Sequence, residues 1–323
     1  MINKFKNINS YLPKVPSALS GLALAIASLG LCWENAANLQ GNGQMSGAIV
    51  ASCIILSIFL KFLFNPHLLK QDLQHPVGGS VIPTIAMATM VIANNIALYY
   101  LQIGKIISLL AIFLHLCFLG TFIFYRSRDF QFKQILPSWF IPPIGLVLAL
   151  VMYPGGLNPT FADLILQFAL LSYALLLPVV LYRLLFSEKL ADNEKPILVI
   201  LATPASLLLV GYFVTATQPS YLMVEILALL ALLMTLFVYF AFVKLLHLPF
   251  TPAYSAFTFP LVVGAIALFK TSQFLLKEGF NLQLVELTVQ LANIELIVAT
   301  LMVFYVSLRY TLHFLPVKKA LIN

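Results

Sequence analysis

The chain has 323 residues, of which 61% are hydrophobic and only 9% charged, with a formal net charge of +7. A soluble domain carries about 25% charged residues, so a mainly water-facing surface is excluded and lipid is the solvent that fits. The three cysteines, Cys32, Cys53 and Cys117, are too scattered for a disulfide framework or a metal cluster; no metal and no cofactor are expected.

The stretch from Met1 to Pro13 carries Lys4 and Lys6 but no apolar run ending in a small-residue cleavage site, so no cleaved signal peptide is expected. A spanning helix needs about 20 mostly apolar residues. Such runs lie at approximately 16–33, 47–64, 80–98, 104–125, 138–153, 161–186, 196–216, 220–246, 252–276 and 284–314. The expectation is an all-α polytopic membrane protein with ten spans, residues 1–323 forming a single transmembrane domain. Spans five and six part at Tyr153-Pro154-Gly155-Gly156-Leu157-Asn158-Pro159, a dense cluster of helix breakers. Spans eight and nine part at His247-Leu248-Pro249-Phe250-Thr251.

The charges orient these spans. With the N-terminus, every even-to-odd connection and the C-terminus on one side, that side holds 15 of the 18 Lys and Arg. Lys105, Lys270 and Lys277 fall on the other. Cytoplasmic loops carry the basic excess, so a multi-pass protein of a cytoplasmic (inner or plasma) membrane with both termini cytoplasmic is expected. The positive balance is a topology signal, with attraction to membrane lipid second, and no nucleic acid is needed to explain it.

Proline marks the odd spans. Pro83 lies in span three, Pro142 and Pro143 in span five, Pro204 in span seven and Pro260 in span nine, a period near 60 residues. Span one lacks an internal proline and has Gly21 at the corresponding place, while span six carries Pro178. Proline removes a backbone hydrogen bond and kinks a helix, which a membrane tolerates where hydroxyls, water or neighbouring helices satisfy the freed carbonyl. Thr84, Thr203, Ser206 and Thr258 stand close by. Small residues gather on the same spans, including Ser17, Ser20, Gly21 and Gly145, while the even spans are rich in Leu, Phe and Ile. Two readings stand: small residues let helices pack closely, or five kinked helices form an inner ring around a conduit with a Leu-rich belt outside. On the second, Ser20, Gly21, Pro83, Pro142, Thr203, Pro204, Thr258 and Pro260 are candidate lining residues.

The chain also carries His75-Pro76-Val77 ahead of span three and Pro137-Ser138 with Pro142 at span five. Ala202-Thr203-Pro204-Ala205 follows in span seven and Ala256-Phe257-Thr258-Phe259-Pro260 in span nine. In this order and spacing the motifs resemble the tellurite-resistance/dicarboxylate transporter family, which also contains the plant slow-type guard-cell anion channels. The resemblance covers essentially the whole chain in span count and proline placement. It implies five helical hairpins in quasi-fivefold arrangement around a central pore, odd helices inside, and a homotrimer with one pore per subunit. It also implies a pore-plugging phenylalanine, which the match places at Phe259. Relatives can have glycine after that aromatic; Pro260 here stiffens the backbone beside it.

A phenyl ring across a narrow conduit blocks ions by size and dewetting, whereas Phe257, about 200° away around a helix, faces elsewhere. Lys270 and Glu295, in antiparallel neighbouring spans, read as an ion pair or as part of an anion-attracting vestibule. His115, in span four, reads as a packed, hydrogen-bonded residue, and Asn94 and Asn95 as either a pore mouth or an interhelical bond. No His-Glu-x-x-His, Gly-x-Ser-x-Gly or phosphate-loop pattern occurs, so an enzyme is not expected. A dicarboxylate site favours paired Arg, but Arg126, Arg128, Arg183 and Arg309 all lie toward the cytoplasmic ends. The expectation is therefore a passive channel or uniporter for small monovalent anions; the alternative is a proton-coupled carrier of tellurite, sulfite or C4-dicarboxylates.

Overall fold

The computed structural model describes residues 11–314; Lys4, Lys6, Lys318 and Lys319, counted above on the basic side, lie outside the described residues. The chain runs through α1 (Leu19–Ala36), α2 (Asn42–Phe64), α3 (Pro76–Ala97) and α4 (Leu101–Arg128). The broken segment α5 (137–152) comes next. Then follow α6 (Pro159–Phe186), α7 (Lys195–Thr215), α8 (Tyr221–Leu245), α9 (Pro252–Lys277) and α10 (Leu282–Phe314). Nine of these are long and apolar enough to cross a membrane among the described residues. The fifth run, expected as a span at 138–153, is instead a 3-10 turn, Pro137–Phe140, followed by two short helices, Ile141–Ile144 and Val147–Met152. Three prolines and Gly145 within nine residues deny it a continuous hydrogen-bond ladder. Such irregular backbone survives at membrane depth only when protein surrounds it, and residues 142–150 are all buried.

Three other odd segments change character in a similar way, whereas α1 is continuous from Leu19 to Ala36. In α3, Pro76–Val81 gives way to Thr84–Ala97; in α7, the 3-10 turns Lys195–Ala202 give way to an α-helix from Thr203; in α9, Pro252–Phe257 gives way to one from Phe259. The prolines stand at the cap or in the first turn of each α-helical half, where the missing N–H is one the helix could not use. The even segments are continuous. Asn158 starts α6 by accepting the Thr160 amide at 3.0 Å, and basic residues close the last turns of α2, α4, α6 and α8 at Lys61, Arg126, Arg183 and Lys244, complementing the helix dipole.

Odd and even segments occupy different layers. In their apolar stretches, 56–78% of the residues of α1, α3, α7 and α9 are buried, against 22–39% in α2, α4, α6, α8 and α10. Phe113, Leu185, Phe240 and Phe304 on the even helices are each at least 67% exposed, the surface an acyl-chain solvent calls for. Each odd segment packs on the next, α1 on α3, α3 on α5, α5 on α7, α7 on α9, and α9 returns to α1, so the contacts close a ring. Close packing also accounts for some of the small residues. A Cβ on Gly30 would lie 2.3 Å from the Gly43 carbonyl oxygen, and one on Gly47 2.6 Å from that of Ile26, so α1 and α2 touch backbone to backbone.

The connections on the basic side are tied down. Lys61 reaches Asp72 of the short helix Pro66–Gln74 at 3.6 Å and donates to Ser17 at 2.9 Å, and Ser17 in turn donates to Asp72. Arg126 donates to Gln134 at 2.8 Å and to the Gln74 carbonyl, while Arg183 donates to the Lys133 carbonyl at 2.8 Å. Arg309 lies over the rings of Phe250, Tyr254 and Tyr305.

Candidate functional site

Near the starts of their helices the odd segments line a cavity of about 190 Å³. All five odd segments line it and none of the even ones does, with Gly21 from α1, Thr84 from α3, Gly145 from α5, Thr203 from α7 and Phe259 from α9 at the wall. These residues sit at or near the beginnings of the α-helical halves. The rest of the wall is mostly apolar, including Leu24, Met87, Phe140, Ile144 and Leu207. No Lys, Arg, His, Asp or Glu stands among the lining residues.

Of the expected lining residues, Gly21, Thr203, Pro204 and Pro260 reach the cavity, as does Phe259, which is 7% exposed. Ser20, Pro83, Pro142 and Thr258 are not among its lining residues, because they are engaged at the breaks. Ser20 bonds the Thr84 hydroxyl at 2.6 Å and the Ser17 carbonyl at 2.7 Å. Thr258, fully buried, donates to the Ser255 carbonyl at 2.6 Å. Pro83 is the cap residue of the Thr84–Ala97 half, and the Pro142 carbonyl accepts from His115 Nε2 at 2.8 Å. Thr84 also donates back to the Val81 carbonyl, at 2.7 Å. Thr203 differs: among the described residues its hydroxyl has no internal partner, and it faces the cavity.

Phe257 is fully buried against Phe242 and Tyr254, away from the cavity. Lys270 and Glu295 do not pair: Lys270 donates weakly to Gln273 at 3.4 Å, one turn along its own helix, while Glu295 accepts from Tyr239 of α8. Neither lines the cavity. Asn94 bridges helices, donating to the Met152 carbonyl at 3.0 Å and accepting from Gln44 at 3.2 Å. The apolar wall residues Met87, Phe140 and Ile144 carry no distinguishing signal in the sequence, because a bulky residue facing a cavity looks the same there as one facing the core.

The voltage-dependent anion channel family matches residues 14–311, a stretch that includes all five segments of the ring. Two uncharacterized transporters of Methanocaldococcus jannaschii are similar to it. One is 28% identical, the alignment covering 63% of this chain and 67% of the relative. The other is 27% identical, covering 59% of this chain and 62% of the relative. With a ring of odd segments around a shared cavity and a match extending through nearly the whole chain, this protein is a member of the voltage-dependent anion channel family.

Proposed function

We propose that the chain is a passive channel for small monovalent anions, with the Phe259 ring as its gate. One observation carries this reading: the helix of α1, the α-helical halves of α3, α7 and α9 and the short helices of α5 begin at or near one cavity that has no charged side chain in its wall. Helix N-termini carry partial positive charge, so an anion is attracted there without a fixed cation to trap it. Conduction needs an ion to leave as readily as it enters. Phe259 occupies the wall at the start of its helix and Thr203 offers a free hydroxyl donor, while a dicarboxylate would call for Arg in a bidentate fork.

A proton-coupled carrier needs a titratable group in the pathway, and the candidates, His115 and Glu295, lie outside the cavity wall. The excess of Lys and Arg on one side, 15 against 3, supports a cytoplasmic membrane with both termini in the cytoplasm. A homotrimer with one pathway per subunit rests on the family resemblance alone.

The test is anion flux into liposomes carrying the purified chain. Chloride and nitrate flux that rises without saturating, ignores an imposed proton gradient and far exceeds malate flux is the expected result. Saturable malate uptake driven by a proton gradient would overturn the channel reading.

A further inference from the structure

Outside the ring, a second and larger cavity of about 890 Å³ opens sideways between α8 and α10, floored by α7 and α9. Its size is that of a drug-sized ligand site, about 300–1,000 Å³. The rim is leucine from the two outer helices, with Leu232 46% and Leu287 52% exposed. The floor is different. Glu295 reaches it from α10, only 5% exposed, with one carboxyl oxygen accepting from Tyr239 and the other, Oε1, without a hydrogen-bond partner. Gly264 of α9 makes the room: a Cβ there would stand 3.1 Å from that free oxygen. A second carboxyl, Glu225, lines the same groove, together with the hydroxyls of Thr271 and Thr288, and no Lys or Arg is among its lining residues.

A buried acceptor left unpaired is costly, and a carboxyl within membrane depth marks a functional site by default. The ligand that answers both features has an apolar body for the leucine walls and a cationic hydrogen-bond donor for the floor. We infer that the groove between α8 and α10 is a binding site for a lipophilic amine, its ammonium donating to Glu295 Oε1 and its apolar frame lying along α8. The site is separate from the central cavity, since no residue lines both. Its occupant enters from the bilayer, where lipophilic amines concentrate, and not from the conduit.

The probe is tritiated nortriptyline, a secondary amine on a tricyclic apolar frame, titrated onto the full chain in lipid nanodiscs with empty nanodiscs subtracted. A single saturable site per chain is expected. Glu295→Gln, which keeps an acceptor for Tyr239 but removes the acid, weakens binding by about tenfold or more. Ala228→Trp, about three turns from Tyr239 along α8, fills the groove without touching the carboxyl and abolishes the site. Should one variant fail to elute as a monodisperse species, the other still decides. Binding that is equal in wild type and in either folded variant overturns the proposal. So does the absence of saturable binding in the wild type, whether because the amine only partitions into lipid or because a second copy of the chain covers the groove. The readout is independent of Phe259 and of anion flux.

Discussion

Replacing Phe259 by alanine tests the gate most directly. In the closed geometry the ring forms part of the wall of a cavity of about 190 Å³ and is 7% exposed. If the ring gates the path, it must swing away from the cavity it borders and into its packed side, with Pro260 holding the adjacent backbone. Forcing a group into a packed interior costs about 1–3 kcal/mol. At 1.36 kcal/mol per factor of ten, removing that step raises chloride flux by about 5- to 160-fold. The same truncation deletes buried apolar area, and Phe→Ala costs about 3–5 kcal/mol in a close-packed core. Because the ring already borders a void, the lower end applies, so the variant melts earlier yet conducts more. Chloride-sensitive dye trapped in liposomes reports the flux, and elution profile and melting temperature report the fold. Wild-type flux from a folded, correctly inserted Phe259→Ala protein would refute the gate.

Three further substitutions examine the scaffold. His115→Leu strands the Pro142 carbonyl, now bonded at 2.8 Å, and should lower stability by about 1–3 kcal/mol while leaving the chloride-to-nitrate ratio unchanged, read by thermal melting and flux. Gly30→Val drives a Cβ to within 2.3 Å of the Gly43 oxygen, whereas Gly120 has nothing within 4 Å; the first variant should lose most folded yield in detergent and Gly120→Val almost none. Lys61→Met breaks a pair whose lysine side chain is 6% and aspartate side chain 32% exposed. Screening of Asp72 keeps the cost nearer about 1–2 kcal/mol than the ~3–5 of a fully buried pair, and a double-mutant cycle with Asp72→Asn should show non-additivity.

Much of the architecture is legible in the sequence because the membrane imposes it. So few charges require a lipid-facing surface, and the even helices carry the Leu and Phe that meet it. Pro83, Pro142, Pro204 and Pro260 pick out segments that turn out to be the buried ones. What is not legible is azimuth. Thr84 and Thr203 hold similar places beside their prolines, yet the Thr84 hydroxyl is engaged by Ser20 and the Val81 carbonyl while that of Thr203 has no internal partner among the described residues and faces the cavity. Lys270 and Glu295 lie in adjacent antiparallel helices but face different neighbours, because one residue turns a side chain by about 100°. The groove above Glu295 escapes the sequence altogether, since it is a gap between helices and owes its depth to Gly264. The break in α5 was foreshadowed by its prolines, but an apolar run of 16 residues reads as a span whether or not its ladder is continuous.

The hydroxyls beside the breaks bear on selectivity in a way that helix dipoles alone do not. Every odd segment runs in the same direction, because an even helix returns the chain each time, so the positive ends of the α-helical halves add. Backbone carbonyls close to those starts present the opposite sign. Carbonyls near the breaks are occupied by side chains: Pro142 by His115, Ala202 by Ser206, Ser255 by Thr258, and either Ser17 by Ser20 or Val81 by Thr84, the other hydroxyl hydrogen going into the Ser20–Thr84 bond. On this account the side chains at the breaks favour anions by blocking acceptors rather than by touching the ion. Thr258→Val is the sharpest check, because it keeps the shape of a fully buried side chain and removes the shorter of the two bonds to the Ser255 carbonyl, leaving only the Thr258 amide at 3.3 Å, and Ser255 lines the cavity. Measured as a reversal potential under a salt gradient, in the Phe259→Ala background so that current is large, its preference for chloride over sodium should fall. A reversal potential unchanged from that background would mean that the acceptors at the breaks do not matter and that the positive helix ends act unopposed for another reason.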